Sequence, residues 1–232
     1  MCEITLSITC PYCRSSKVWK NGRKANGRQN FLCSSCRKQF QQDYVYKGCC
    51  QQQRKQVVKM LIRNCGLRDI EYITGVHRQT AMKILEQRVE QLQFKHWQSS
   101  YDLVQIDELY SFVESKENKQ WLVYAYAPEA DEILAWQWGD RSMETVELLY
   151  KQLDELQIEL FCTDDWKAFS AVLPAEKHLI GKAGTKHIEG VNTSLRARNR
   201  RLVRRTTCFS KKLRNHQLQM KLILYNRNYH TF

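Results

Sequence analysis

Glu189 is the last acidic residue in the chain. Eleven Lys and Arg follow it, among them Arg196, Arg200 and Arg204, with no further Asp or Glu. A segment that cationic suits a polyanion, and a carboxylate at its head would repel phosphate unless a divalent cation lay between them. Glu189 is therefore a candidate metal ligand facing nucleic acid; the competing reading is a first-turn Glu complementing a helix dipole. Two further carboxylates stand at unusual places. Asp107 interrupts the apolar run 103–112, where Asp is disfavoured in a strand, and Asp164 opens the Asp164-Asp165 pair closing the run 158–163. Singly, each has an ordinary reading, a strand-edge charge or a turn residue. Together, three mutually repelling carboxylates fit two Mg²⁺ or Mn²⁺ ions roughly 3.5–4 Å apart. One would activate water or a DNA 3′-hydroxyl, the other would stabilise the leaving oxygen of an in-line phosphoryl transfer.

A second constellation lies near the N-terminus. Cys10-Pro11-Tyr12-Cys13 and Cys33-Ser34-Ser35-Cys36 are two Cys-x-x-Cys turns nineteen residues apart. Each sets two thiolates on one edge of a tight loop, and the two together close a tetrahedral zinc site. Between them, residues 17–20 and 28–32 read as a hairpin around Gly22 and Gly27. The predicted module is a zinc ribbon over residues 1–45, with two disulfides or free thiols as alternatives. Arg14, Lys17, Lys20, Arg23, Lys24 and Arg28 favour DNA contact, although a ribbon can also serve folding alone. The six other cysteines lack paired spacing and read as incidental.

Charge is distributed unevenly along the 232 residues. Residues 1–100 carry a net +12, residues 101–189 a net −10, and residues 190–232 a net +11. Two cationic flanks around an acidic centre suggest arms that hold nucleic acid across a site concentrating carboxylates. No apolar run approaches the roughly 18–20 residues of a membrane span, and MCEITLSITCPYC lacks the pattern of a secretory signal. Paired cysteines of metal-binding spacing fit a reducing cytosol, so the expected location is cytoplasmic, with the nucleoid of a bacterium or archaeon.

These residues need elements to position them. From Arg54, Val57, Val58, Leu61 and Ile62 recur on a helical face until Gly66; LRDIEYI, a turn at Thr74-Gly75-Val76 and a helix from about Arg78 to Leu92 follow. Ile70, Ile73, Val76, Ala81 and Leu85 would pack inside a helix-turn-helix, and His77, Arg78, Gln79, Thr80 and Lys83 would face a DNA groove. Glu71 departs from the small residue expected at the crossing, and an ordinary three-helix bundle remains the alternative. Residues 46–98 are predicted to form this unit with a linker helix whose short seam, Met82, Leu85, Val89 and Leu92, could contact a second copy. Over residues 99–232, strands are expected at 103–112, 120–127, 132–138, 158–163 and 178–180. Helices are expected at about 142–156, 166–172, 185–203 and 210–225. The order β-β-β-α-β-α-β-α is that of a ribonuclease-H-like domain, an α/β class (α+β overall) with a mixed sheet. In it the first strand is central and the fourth lies beside it, so Asp107 and Asp164 can meet. Glu189, Asn192, Thr193 and Arg196 share a stripe at the rim of the core.

The ribbon, the helix-turn-helix, IDELYSFV, WLVYAY, FCTDDWKAF, KHIEGVNTSLR and the late FSK…H…YNRNYH resemble the DDE transposases of the insertion sequence 1 family along nearly the whole chain. The twenty-four residues between Asp164 and Glu189 match that family's short interval. The resemblance implies Asp107, Asp164 and Glu189 as the catalytic triad and Arg196 as a basic residue on DNA near the site. The family usually has Gly after its second Asp, where this chain has Asp165, leaving open which of the pair ligates metal; Asp165 could instead cap the following helix. Glu108 follows Asp107 as in the family, with its side chain directed to the other strand face.

The function expected is a metal-dependent transposase that binds the inverted ends of its element, cuts them and joins them to target double-stranded DNA. Cofactors would be Mg²⁺ or Mn²⁺ at Asp107, Asp164 and Glu189, and Zn²⁺ at Cys10, Cys13, Cys33 and Cys36. Arg78, Gln79 and Lys83, with Arg196, Arg200 and Arg204, would contact DNA. The Arg196–Arg205 run and a Lys211–Arg227 helix would grip backbone, and synapsis would require a homo-oligomer. The alternatives are a DNA-binding regulator with a decayed catalytic domain, and a junction or hybrid nuclease of the same fold.

Overall fold

The structure, a computed structural model, describes residues 7–42 and 47–230. The N-terminal part is an antiparallel sheet of β1 (Val18–Arg23), β2 (Gln29–Cys33) and β3 (Gln39–Gln41) in the order β1-β2-β3. The expected hairpin is present. The third strand has only three residues, too few for an alternating pattern, and Phe40 holds it by stacking on Phe31 with ring centroids 5.7 Å apart.

Three helices follow: α1 (Gln51–Ile62), α2 (Leu67–Thr74) and α3 (Arg78–Glu90). Gly75 ends α2 at φ 66°, a left-handed conformation that costs glycine least and turns the chain into α3. Val57, Leu61, Ile70, Val76, Ala81 and Leu85 form the centre of the unit. Ile73 is not among them: it is 58% exposed. The inward place is taken by Thr74, whose hydroxyl donates to the Ile70 carbonyl and accepts from the Val76 amide. That pairing lets a polar side chain be buried while its apolar neighbour faces out. Glu71 is accommodated at the rim, 3.7 Å from His77.

The remaining chain builds a five-stranded sheet in the order β6-β5-β4-β7-β8. Its strands are β4 (Ser100–Phe112), β5 (Lys119–Ala127), β6 (Glu132–Gly139), β7 (Gln157–Thr163) and β8 (His178–Ile180). The first three run antiparallel, and β7 and β8 run parallel to β4. This is the ribonuclease-H-like order with β4 at the centre. Val104 and Ile106 face a core shared with α4 (Met143–Lys151) and α5 (Lys167–Val172). Leu109 faces the opposite core, shared with α6 (Lys186–Arg198) and α7 (Leu213–Tyr229).

Two helices are shorter than expected. The α4 helix is capped by Ser142, which accepts from the Thr145 amide, and ends at Lys151. Tight turns through Leu153 and Leu156 then bring the Gln157 amide to the Ser99 carbonyl. At the end of α6, Asn199 leaves the helix, and its buried side chain caps the Arg201 amide.

The α7 helix is anchored in two cores at once. Met220, Ile223 and Leu224 pack on the sheet while Leu222 enters the three-helix core. Gln219 donates to the Leu61 carbonyl, Arg227 pairs with Asp131, and Arg214 pairs with Glu86 at 2.7 Å. Leu85, Val89 and Leu92 are buried in the core that receives Leu222, so the seam foreseen as a contact with a second copy is covered by the chain's own last helix.

Candidate metal centre and nucleic-acid interface

Asp107 sits where the sheet opens. β4 pairs with β7 only through Gln105, opposite Cys162. Carried two residues on, the same register brings Asp164, just past the end of β7, level with Asp107. Past Gln105, β4 makes no further ladder pairing with β7 among the described residues, so the side chains of Asp107 and Glu108 lie beyond the end of that pairing.

Three hydrogen bonds orient this corner. Asp107 accepts from the Glu108 amide at 2.7 Å and from the Asn192 side chain at 2.6 Å. Asn192 in turn accepts from the buried Tyr124 hydroxyl at 2.7 Å, and Tyr124 is the β5 partner of Asp107. The start of α6 is fixed by Gln105, which accepts from the Ile188 amide at 2.7 Å and donates to the Gly184 carbonyl. Glu189, the residue after that anchor, is exposed and lines a cleft of about 410 Å³ with Asp107, Glu108, Asn192, Arg196 and Arg204.

The tightest grouping differs from the expected trio. One carboxylate oxygen each from Asp107, Glu108 and Asp164 lies within 4.8 Å of the others, whereas Glu189 lies outside that grouping and lines the same cleft as Asp107 and Glu108. Glu108 does occupy the opposite strand face, beside the Arg141 guanidinium at 2.7 Å. Its place past the end of the β4–β7 pairing nevertheless brings its carboxylate to the cluster, which strand alternation alone does not disclose. Arg141 lies over the rings of Trp166 and Trp121, at 4.8 and 5.4 Å. Burial pushes the Asp107 carboxyl up to about 6, opposed by the Glu108 amide and reinforced by Asp164. Burial likewise pushes Glu108 up to about 7, with Arg141 opposing. Such carboxyls are suited to a divalent cation, which would replace the missing solvation of their charged forms.

Asp164 and Asp165 are placed differently. Asp164 belongs to the cluster and also accepts from the Trp166 amide at 3.1 Å, ahead of α5. Asp165 is exposed and makes no cap; α5 begins after Trp166. Lys186 and His187 are exposed on the first turn of α6.

Of the basic residues, Arg196 and Arg204 line the cleft, and Arg200 is exposed on the adjoining turn. Arg201 in the same run points inward and donates to Ser210 at 3.1 Å, so the run does not present a uniform cationic face. Arg78, Gln79 and Lys83 are exposed on the first turns of α3.

At the N-terminus, the four cysteines bring their sulfurs within 4.8 Å of one another. The Cys10–Cys36 and Cys13–Cys33 sulfur pairs stand 3.6 and 3.5 Å apart, close to the roughly 3.8 Å edge of a tetrahedron of 2.3 Å zinc–sulfur bonds. None of the four is joined in a disulfide. The Cys36 amide directed at Cys33 holds that thiol down, to about 6. The donor set fits zinc.

No helix among the described residues is long and apolar enough to cross a membrane. The profile described as IS1 transposase matches residues 103–230, and that of the InsA N-terminal domain, a zinc ribbon, matches residues 4–37. The insertion element iso-IS1n protein InsB of Shigella dysenteriae is 39% identical over 115 residues, covering 50% of this chain and 88% of that protein. The insertion element IS1 protein InsB of Shigella flexneri is 32% identical over 112 residues, covering 48% and 86%. Among solved structures, a chain of a simian T-cell lymphotropic virus intasome in complex with PP2A regulatory subunit B56 gamma aligns at TM-score 0.34 and 13% identity, covering 72% of this chain and 64% of that one. With the transposase profile spanning more than half its length and the InsB proteins matched over most of theirs, the chain belongs to the IS1 transposase family.

Proposed function

We propose that this transposase binds the terminal inverted repeats of an insertion element, cleaves DNA at those ends and joins them to target DNA in a metal-dependent reaction. The observation carrying this reading is the meeting of Asp107 and Asp164 past the end of the β4–β7 pairing, with Asp107 lining one cleft together with Glu189, Arg196 and Arg204. A cluster that burial makes costly to ionise, bordered by cations, suits a site where metal and phosphate arrive together.

Asp107, Asp164 and Glu189 are the proposed metal-binding catalytic residues, with Asn192 holding the Asp107 carboxylate in one orientation. Mg²⁺ or Mn²⁺, when bound, supplies the charge that activates water or a 3′-hydroxyl and stabilises the leaving oxygen. Arg196, Arg200 and Arg204 draw the DNA backbone to the cleft. Arg78, Gln79 and Lys83 of the α2–α3 pair read the ends, aided by the ribbon's basic residues. The working division is residues 1–45 for the zinc ribbon, 46–98 for end recognition and 99–232 for catalysis. Two ends must be held together, so the acting form is a homo-oligomer on cytoplasmic, nucleoid-associated DNA.

The test uses labelled element ends with Mg²⁺ or Mn²⁺. The parent protein is expected to cleave and join them, while Glu189→Gln binds equally well and fails to cleave. Binding without cleavage by the parent protein under every metal condition would make this a DNA-binding regulator instead. Cleavage without preference for the ends would make it a general nuclease.

A further inference from the structure

Glu108 carries a buried carboxylate oxygen that no described residue satisfies. Its side chain is only 7% exposed, and Arg141 satisfies one carboxylate oxygen, Oε1, at 2.7 Å. The other, Oε2, is buried and has no hydrogen-bond partner among the described residues. A buried, unpartnered carboxylate oxygen is costly to maintain. The same side chain brings an oxygen within 4.8 Å of oxygens on Asp107 and Asp164. Strand geometry explains how both faces of β4 serve one point: the ladder with β7 ends at Gln105, so Asp107 from one side and the longer Glu108 from the other lie just past it, level with Asp164 and the residue that follows.

Arg141 is placed to stand in for a cation. It is 43% exposed, it reaches Glu108 from the turn before α4, and the rings of Trp121 and Trp166 hold its guanidinium by cation–π contact. Its single positive charge answers only one of the clustered carboxylates.

We propose that Glu108 is a fourth carboxylate ligand of the metal centre, delivered from the opposite strand face, and that Arg141 occupies it until the divalent ion arrives. The proposal rests on the reading of Asp107 and Asp164 as metal ligands. It distinguishes two roles for Glu108: a ligand, or merely the anchor of a structural ion pair.

Mn²⁺ binding to the full chain, followed by the electron paramagnetic resonance of the free ion, separates these roles without recourse to activity. Near-ultraviolet circular dichroism reports whether each variant keeps its fold. Glu108→Gln is expected to weaken Mn²⁺ binding tenfold or more, whereas Arg141→Gln, which removes a competing cation, binds at least as tightly as the parent. Glu108→Asp, which keeps the charge but draws it back by one methylene, is expected to fall between parent and Glu108→Gln. Parent-like affinity in Glu108→Gln overturns the proposal, as does an equal loss in Glu108→Gln and Arg141→Gln. Asp107→Asn identifies which idea has failed. If it loses Mn²⁺ while Glu108→Gln does not, only the fourth ligand falls; if neither loses Mn²⁺, the metal reading of the cluster falls with it.

Discussion

Asn192, three residues after Glu189 on α6, donates its side-chain amide to Asp107 of β4 at 2.6 Å. That bond ties the helix carrying one proposed ligand to the strand carrying another. Since Asn192 accepts from Tyr124, the orientation passes from β5 through α6 to the carboxylate. The separation between Glu189 and Asp107 is thus set by a buried polar chain as well as by apolar packing.

Asn192→Ala should therefore lower metal-dependent cleavage about 10–100-fold, the range typical when a residue supporting a metal ligand is lost. It also leaves the Tyr124 hydroxyl with only the Ile188 carbonyl at 3.4 Å, a loss of about 1 kcal/mol measurable by thermal unfolding. Tyr124→Phe keeps the Asn192–Asp107 bond and should retain most of the activity. Equal losses in the two variants would show that Asn192 does not orient Asp107 directly.

Stability should depend on pH in a direction set by the raised carboxyls. Asp107 near 6 and Glu108 near 7 bind protons more tightly folded than unfolded, where carboxyls titrate near 4. Their contribution is fully present below about pH 4 and is lost as pH rises through 6 and 7. Metal-free protein should therefore lose melting temperature across that window relative to an Asp107→Asn, Glu108→Gln double variant. Added Mg²⁺ should restore more at pH 7.5 than at pH 5.5, because at the lower pH it must displace protons. A difference between parent and double variant that stays flat from pH 4 to 8 would contradict these shifts.

Much of this was legible because it is local. Cysteine spacing, strand alternation and the glycine at Gly75 are written in neighbouring residues, and the order of strands follows from them. What escaped depends on distant partners. Ile73 reads as core until Thr74 is seen to satisfy its own hydroxyl against Ile70 and Val76. Glu108 obeys strand alternation yet joins the cluster because β4 runs on past its last pairing with β7 at Gln105. The α7 helix carries Lys and Arg like a DNA arm, but its apolar residues divide between two cores, and no periodicity in one segment announces two destinations.

Zinc removal should unfold one part of the molecule selectively. The ribbon's own core is Cys10, Phe31, Cys33 and Phe40, too little to stand without the metal link. A strong chelator, or Cys33→Ser, should release one zinc per chain and open residues 18–41 to proteolysis, while the five-stranded sheet keeps its protection from hydrogen exchange. Simultaneous loss of both would mean that the ribbon supports the sheet.

The basic run after α6 yields a paired prediction. Arg204 is exposed on the cleft, whereas Arg201 is turned in, with its carbonyl accepting from Ser111 at 2.9 Å and its guanidinium donating to Ser210. Arg204→Gln should leave the melting temperature unchanged and weaken DNA binding, with the slope of log affinity against log salt falling by about one unit, as for one lost phosphate contact. Arg201→Gln should do the reverse, lowering the melting temperature and leaving the salt slope intact, because its charge never meets the phosphate. If Arg201→Gln reduces the slope as much as Arg204→Gln, the guanidinium swings outward when DNA binds and the inward contacts with Ser210 are not retained in the complex.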